Sequence, residues 1–137
     1  MGFGAIMQWQ NLLWVGIGGF FGANLRYIFS NIINQYAPPV IGRPIPIGTA
    51  FVNITGSFLL ALFISYTSKR VGFPDSAKLL IGTGFFGAYT TFSTYANESI
   101  SLINNGQWVT GLSYVIVSNI LCLLGVVCAL VLAHRIF

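Results

Sequence analysis

Charged residues are scarce in this sequence. They make up 6% of the 137 residues, and the acids are limited to Asp75 and Glu98. A soluble domain carries about 25% charged residues, so this chain cannot cover a water-facing surface. Hydrophobic residues, by contrast, make up 55% of the chain. We therefore expect an integral membrane protein.

Residues typical of catalysis, metal binding and nucleic-acid binding are also few. His134 is the single histidine. Cys122 and Cys128 are spaced so that they turn to largely opposite faces of one predicted helix, which excludes a disulfide between them. The six Lys and Arg residues are spread along the chain, so no nucleic-acid-binding patch is expected. With no nucleotide-binding loop or metal-ligand motif, the sequence argues against an enzyme.

Four apolar segments are long enough to cross a bilayer, which takes roughly 20 residues per helix. They cover about residues 11–33, 47–68, 77–103 and 108–133. Pro38 and Pro39 forbid a helix in the loop between the first two segments. The sequence therefore predicts an all-α membrane protein with four transmembrane helices, which form a single domain over residues 1–137.

The third segment differs from the others between Gly84 and Glu98. Glycines, hydroxyls, aromatic rings and one acid crowd these positions, where a simple membrane anchor would carry Leu, Val and Ile. Glycine weakens a helix by about 1 kcal/mol relative to Ala, and β-branched threonines lower helix propensity further. We expect a helix that is interrupted in mid-membrane. Its exposed carbonyls and amides must then face protein or a water-filled path, which indicates a conduction site.

Four helices of this size form a thin bundle that does not easily enclose a pore, so we expect an oligomer. Gly18 and Gly22 form a GxxxG pair, and small residues at that spacing let helices approach closely. The glycine-rich faces of the first and third segments are the expected contact surfaces. Orientation follows the Lys and Arg bias of short loops, which here is four against two. That weak bias permits insertion in either direction, and it also fits a single orientation.

Three polar residues inside the predicted spans each have two interpretations. Glu98 is either functional, as an intramembrane carboxylate usually is, or a residue near the membrane end that caps or snorkels. Arg26 either attracts ions into a vestibule, or it serves as an interfacial anchor or a partner for Glu98. The amide of Asn53 either donates to an anion or joins two helices.

Aromatic rings and hydroxyls are interleaved further along the third segment. Phe92 and Tyr95 share a helical face, and the positive edges of their rings favour an anion without binding it tightly. Ordinary aromatic packing is the alternative. Ser93 and Thr94 supply hydroxyls that replace the hydration shell of an anion, or they bond back to the preceding turn.

Four blocks of sequence together carry a resemblance to a known family. The first predicted helix contains GGFFGANLRY (residues 18–27), the second contains GTAFVNITG (48–56), and the third contains TGFFG (83–87) and TTFSTY (90–95). The chain resembles the Fluc (CrcB) family of fluoride channels over nearly its whole length. The last block is the most specific, because it is similar to the TTFSTF signature of the family.

This resemblance implies an architecture. It implies an antiparallel, dual-topology homodimer in the cell inner membrane, with two parallel fluoride pores that are each lined by both subunits. It also implies a third helix that is broken at its middle. The backbone carbonyls of Gly87 and Thr90 would hold a structural sodium ion on the dimer axis, in a cage of four oxygens.

The resemblance also implies roles for residues of the pore. Phe92 and Tyr95 would present ring edges to fluoride, and Asn53 would lie near a fluoride site. Ser93 and Thr94 would form a polar track. In the fourth helix, Ser118 and Tyr114 match pore-facing positions, while Glu98 and Arg26 match polar positions of the family.

The chain departs from the family pattern at three positions. Tyr95 stands where the family usually has a second Phe, and its phenol adds a hydroxyl beside the path. Ala96 stands where a Ser is common, which removes one donor. Cys122 stands roughly where a second Ser of the fourth helix is common.

Two other functions fit parts of the sequence. A proton-coupled exporter of the small four-helix multidrug type also uses a short dual-topology chain and a membrane glutamate, but it has that acid in the first span and this chain has Glu98 in the third. A structural subunit of a larger complex would use the same polar residues to hold helices together.

Overall fold

The structure is a computed structural model, and it describes residues 8–37, 39–40 and 43–137. The predicted domain also includes residues 1–7, and the loop prediction rests partly on Pro38; both lie outside the described residues. In that loop two short strands, β1 (Pro39–Val40) and β2 (Arg43–Pro44), pair antiparallel. Nearly all other described residues are helical.

Three long helices frame the molecule: α1 (Trp9–Asn34), α2 (Ile47–Ser68) and α6 (Trp108–Ile136). The segment between α2 and α6 consists of four shorter pieces. They are α3 (Asp75–Ala77), a π-helix (Lys78–Phe86), α4 (Gly87–Tyr89) and α5 (Phe92–Asn104). We refer to residues 75–104 as the interrupted segment.

Among the described residues, α1, α2 and α6 are the three helices that are long and apolar enough to cross a membrane. Large apolar side chains on their outer faces are exposed, such as Phe20, Ile64 and Leu123. In water this much exposed apolar surface would be unfavourable, whereas in lipid it is the expected outer surface. The chain is therefore a multi-pass protein of the cell membrane, and its fold is all-helical apart from the two-residue strands.

Glycines allow α1 to pack closely on the π-helix. A Cβ atom on Gly18 would overlap the carbonyl oxygen of Leu80, and one on Gly22 would overlap that of Phe85. Gly84 is the glycine of the π-helix in this same contact, and a Cβ there would lie 3.0 Å from the Cα of Gly18. These glycine faces were expected to be contact surfaces of an oligomer. Gly18, Gly22 and Gly84 instead serve a contact inside one subunit.

Helix α2 lies between α1 and α6 and reaches the interrupted segment at Gly56. Tyr89 and Thr90 pack directly over this glycine, since a Cβ there would overlap the methyl group of Thr90 and lie 3.0 Å from the ring of Tyr89. On the far side, α5 packs against α6 through a cluster of Tyr95, Leu102 and Tyr114. The end of α4, the start of α5 and the facing sides of α2 and α6 are thereby brought together.

Candidate functional site at the helix interruption

The helix of the interrupted segment ends at Tyr89 and restarts at Phe92. Thr90 and Thr91 between them are extended, with ψ values of 157° and 113°. Thr91 is the N-cap of α5, because its side-chain oxygen accepts a hydrogen bond from the backbone N–H of Thr94 at 3.3 Å. A threonine cap of this kind satisfies one of the free N–H groups at the start of a helix.

Asn53 of α2 holds the extended backbone of Thr91 at both of its polar groups. The N–H of Thr91 donates to Oδ1 of Asn53 at 2.8 Å, and Nδ2 of Asn53 donates to the carbonyl of Thr91 at 3.1 Å. Buried backbone groups must find partners, and lipid supplies none. The amide of Asn53 therefore joins α2 to the interruption, which is the helix-joining role that the sequence left open. One of its two N–H groups remains beyond that contact.

Because of these contacts, two backbone N–H groups do not bind the carbonyls that they would bind in a continuous helix. In an α-helix, the N–H of Thr91 would donate to Gly87 and that of Thr94 would donate to Thr90. Here the first donates to Asn53 and the second to the side chain of Thr91. The carbonyl oxygens of Gly87 and Thr90 are thus freed from their helical donors. Carbonyl oxygens are ligands that suit a hard cation, so this backbone fits the predicted sodium ligands.

Arg26 of α1 also contacts the interruption. Its Nε donates to the carbonyl of Ala88 at 3.0 Å, which is another carbonyl near the end of the helix at Tyr89. Arg26 is half-buried, and its guanidinium group has further N–H groups besides the one in this bond. Arg26 therefore contacts the interruption, while the carboxylate of Glu98 accepts its hydrogen bonds from Thr49 and Tyr114.

A cavity of about 230 Å³ lies beside the interruption, between α2, α5 and α6. Four residues predicted for the pore line it, and so does Thr90, which was predicted for the metal site. The lining residues are Asn53, Ser57, Leu60, Thr90, Thr91, Phe92, Tyr95, Ser118, Asn119 and Cys122. Sequence reasoning assigned no site role to Ser57, Thr91 or Asn119, although the polarity of Ser57 and Asn119 within apolar helices was a signal that pointed to them.

The two aromatic rings of the predicted pore meet at this cavity in different ways. Their centroids are 5.8 Å apart and their planes are tilted by 51°. Phe92 is 77% exposed, whereas Tyr95 is only 7% exposed and packs on Tyr114. Phe92 therefore projects away from the helix bundle, while Tyr95 belongs to the core between α5 and α6.

The hydroxyl of Tyr95 does not project freely into the cavity. It donates to the backbone carbonyl of Val115 at 3.2 Å and accepts a hydrogen bond from Nδ2 of Asn119 at 2.5 Å. The same amide of Asn119 also donates to the Val115 carbonyl, at 2.7 Å. The extra hydroxyl of this chain is thus bound by α6.

Glu98 is the centre of a second polar cluster, about one helical turn beyond Tyr95. Its two carboxylate oxygens accept hydrogen bonds from the hydroxyl of Thr49 at 2.8 Å and from the hydroxyl of Tyr114 at 3.0 Å. These bonds connect α5 to α2 and α6. Tyr114, predicted for the pore, therefore lies in this cluster and not in the lining of the cavity.

Three further predicted residues lie at or beside the interruption without lining the cavity. Thr94 receives a hydrogen bond from the hydroxyl of Thr91 at 3.0 Å, so it supports the cap. The hydroxyl of Ser93 lies 3.4 Å from that of Thr91 and is exposed. Gly87 is exposed, and a Cβ atom there would contact nothing within 4 Å.

A multi-pass membrane protein with a polar, aromatic-lined cavity at an interrupted helix belongs to the class of small integral membrane transport proteins. Comparison with known proteins gives the family. Residues 13–130 match the family model described as "CrcB-like protein, Camphor Resistance (CrcB)", and the chain belongs to this family.

Curated relatives support the same assignment. One from Koribacter versatilis is 44% identical over 120 residues, which cover 88% of this chain and 92% of the relative. One from Methanocaldococcus jannaschii is 42% identical over 128 residues, 93% of this chain and 98% of its own length. One from Magnetococcus marinus is 36% identical over 127 residues, 93% of this chain and all of the relative. Each is named "Fluoride-specific ion channel FluC".

Proposed function

We propose that this protein is a fluoride-selective ion channel that lets fluoride leave the cell passively across the cell membrane. The observation that carries the proposal is the cavity at the helix interruption, where Asn53, Phe92, Tyr95 and Ser118 meet. Hydroxyls, an amide and ring edges are the groups that replace water around a small, strongly hydrated anion. The names of the relatives supply the identity of the ion.

The channel acts as an antiparallel, dual-topology homodimer with two pores. In this arrangement the interrupted segment, which is third along the chain, also crosses the membrane and brings the number of crossings to four. It is broken at Thr90 and Thr91. The cavity is open on the surface of one subunit, and Phe92 at its edge is 77% exposed. A second copy that covers this face would close each path with its own Phe92, so each pore is lined by both subunits.

Within the path, fluoride passes a series of weak donors. Ser118 and the free N–H of Asn53 bind the ion in the cavity, and the edges of the Phe92 and Tyr95 rings flank it. Ser93 and Thr94 continue the polar track. Because each contact is weak, fluoride binds well enough to enter and loosely enough to leave. Larger halides fit the narrow track poorly.

The charged residues act at the approaches to this path. The remaining N–H groups of Arg26 attract anions to the vestibule, since its Nε is already bound to the carbonyl of Ala88. Tyr114 continues the polar surface of α6 beyond Ser118. Glu98 holds the hydroxyl of Tyr114 in place and so supports the path without carrying protons.

Sodium is the ion that the proposed dimer requires at its centre. The carbonyls of Gly87 and Thr90 from each of two subunits would supply four oxygens, and the exposed face of Gly87 leaves room for the second copy. Bound there, sodium would neutralise the dipoles of the interrupted helices and hold the subunits together. It would be structural and would not be transported.

An efflux assay in reconstituted vesicles tests the proposed function. Purified protein should release fluoride down its gradient and release chloride at least about 100-fold more slowly. A structural subunit of a larger complex would pass neither ion when purified alone. A proton-coupled exporter would need a proton gradient, whereas the proposed channel conducts without one. Equal fluoride and chloride fluxes would contradict the assignment of the ion.

A further inference from the structure

Tyr95 raises a problem for an anion path, and α6 contains the residue that resolves it. A phenol is a strong hydrogen-bond donor, and one that is free to donate to fluoride would hold the ion and slow its release. Tyr95 lines the cavity together with Asn119. The neighbouring ring of the pair, Phe92, has no such group.

We propose that Asn119 is a positioning residue that keeps the Tyr95 hydroxyl away from the permeating ion. This inference rests on the proposed function and concerns a residue to which neither the resemblance nor the comparisons give a role. The consequence is that Tyr95 acts in the path as a phenylalanine would, through its ring edge alone.

The hydrogen bonds of the Tyr95 hydroxyl use both its donor and its acceptor function. Its proton is donated to the carbonyl of Val115 at 3.2 Å, so it is not available to an anion. Its oxygen accepts a hydrogen bond from Nδ2 of Asn119. The lone pairs of that oxygen therefore do not face the path, where they would repel an anion. Asn119 is itself fixed on α6 by its bond to the Val115 carbonyl at 2.7 Å. The three groups thus form a closed triangle between α5 and α6.

Burial of Tyr95 fixes the orientation of its ring, and with it the direction of its hydroxyl. Tyr95 is 7% exposed and packs on Tyr114, with ring centroids 5.4 Å apart. The ring therefore has little freedom to turn while its hydroxyl is bound. Without Asn119, the phenol oxygen loses its donor, and the hydroxyl is held by its 3.2 Å bond to the Val115 carbonyl, which also accepts a hydrogen bond within α6. The hydroxyl then exchanges between that carbonyl and an ion in the cavity.

A double-mutant cycle on fluoride flux tests the inference. Initial rates of efflux are measured against fluoride concentration in vesicles that contain wild type, Tyr95→Phe, Asn119→Leu or the double variant. Tyr95→Phe keeps the ring edge and removes the hydroxyl, so it supplies the reference rate and half-saturating concentration for a path without the phenol. Asn119→Leu should lower both quantities at least about fivefold, because the released phenol binds fluoride more tightly.

The double variant decides whether Asn119 acts through Tyr95. In the Tyr95→Phe background, Asn119→Leu should change neither quantity by more than about twofold. An equal loss in both backgrounds would overturn the inference, since Asn119 would then act on the ion directly or on the fold. A large loss in Tyr95→Phe alone would also overturn it, because the hydroxyl would be needed for conduction.

Two controls separate this inference from other failures. Asn31→Leu removes a similar amide that donates to the carbonyl of Tyr27 in its own helix, and it should leave flux unchanged. If wild type carries no fluoride, the proposed function fails. The triangle is then tested by melting temperatures in detergent. Asn119→Leu should lower the melting temperature in wild type and not in the Tyr95→Phe background, and a loss of equal size in both would count against it.

Discussion

Asn53 and Thr91 form a reciprocal pair of hydrogen bonds between α2 and the helix interruption, 2.8 Å from the Thr91 N–H to Oδ1 and 3.1 Å from Nδ2 to the Thr91 carbonyl. One side chain thereby satisfies both polar groups of a backbone unit that has left the helix. The interruption is stable in an apolar surrounding because of this pairing. It also takes up the N–H of Thr91, which in a continuous helix would donate to the carbonyl of Gly87.

Replacing Asn53 should therefore destabilise the protein and abolish conduction. Asn53→Leu leaves the N–H and carbonyl of Thr91 without partners, which costs about 1–3 kcal/mol for each buried group. Thermal unfolding in detergent measures this loss. Asn53→Asp keeps an acceptor for the N–H and should lose less. Asn24→Leu is the matched control, because its amide donates only to Phe20 of its own helix, and a similar loss there would contradict the special role of Asn53.

Phe92→Ile should strongly reduce fluoride efflux without unfolding the protein. The ring edge is lost while most of the apolar volume remains, and a side chain that is 77% exposed contributes little to the core of its own subunit. The measurements are vesicle efflux and the size of the detergent-solubilised assembly. Phe20→Ile, at a similarly exposed position on α1, should leave efflux unchanged. An intact dimer with undiminished flux would remove Phe92 from the path.

Sodium should be required for assembly. Exchange of sodium for a larger cation, such as N-methylglucamine, should lower the fraction of dimer or the fluoride flux, because the proposed cage of Gly87 and Thr90 carbonyls is too small for it. Dimer fraction is measured by cross-linking at several sodium concentrations. An assembly and a flux that are both indifferent to the cation would count against the central site.

Glu98→Gln should retain a measurable fluoride flux. Its amide oxygen still accepts a hydrogen bond from Thr49 or Tyr114, so the cluster is weakened and not lost. Asp75→Asn is the control, since Asp75 pairs only with Lys78 at the exposed start of the interrupted segment. Complete loss of flux in Glu98→Gln, with normal folding, would favour the proton-coupled exporter.

Gly18→Ala should prevent normal folding, whereas Gly16→Ala should be tolerated. A Cβ on Gly18 would overlap the backbone carbonyl of Leu80, and backbone cannot move aside as a flexible side chain can. At Gly16 a Cβ meets nothing within 4 Å. Yield and melting temperature of the two variants measure the difference. Equal behaviour would mean that α1 and the π-helix do not pack as described.

Several features of the protein were determined by sequence alone. With 6% charged residues and apolar runs of helical length, the chain had to be a helical membrane protein, because lipid accepts no other backbone arrangement for single segments of this length. The predicted apolar segments differ from α1, α2 and α6 by only a few residues at their ends. The glycines and threonines near Thr90 also placed the interruption, since low helix propensity is a local property.

Tertiary structure decided which partner each polar group finds. Spacing along one helix does not predict that Asn53 binds Thr91 or that Arg26 binds Ala88 and not Glu98. It also does not predict that Gly18 and Gly22 contact the π-helix of the same chain. Each of these contacts joins elements far apart in sequence, so it depends on how helices pack. The direction of the Tyr95 hydroxyl is the clearest case. Its identity was evident from the sequence, but only the approach of α6 places Val115 and Asn119 where they bind it.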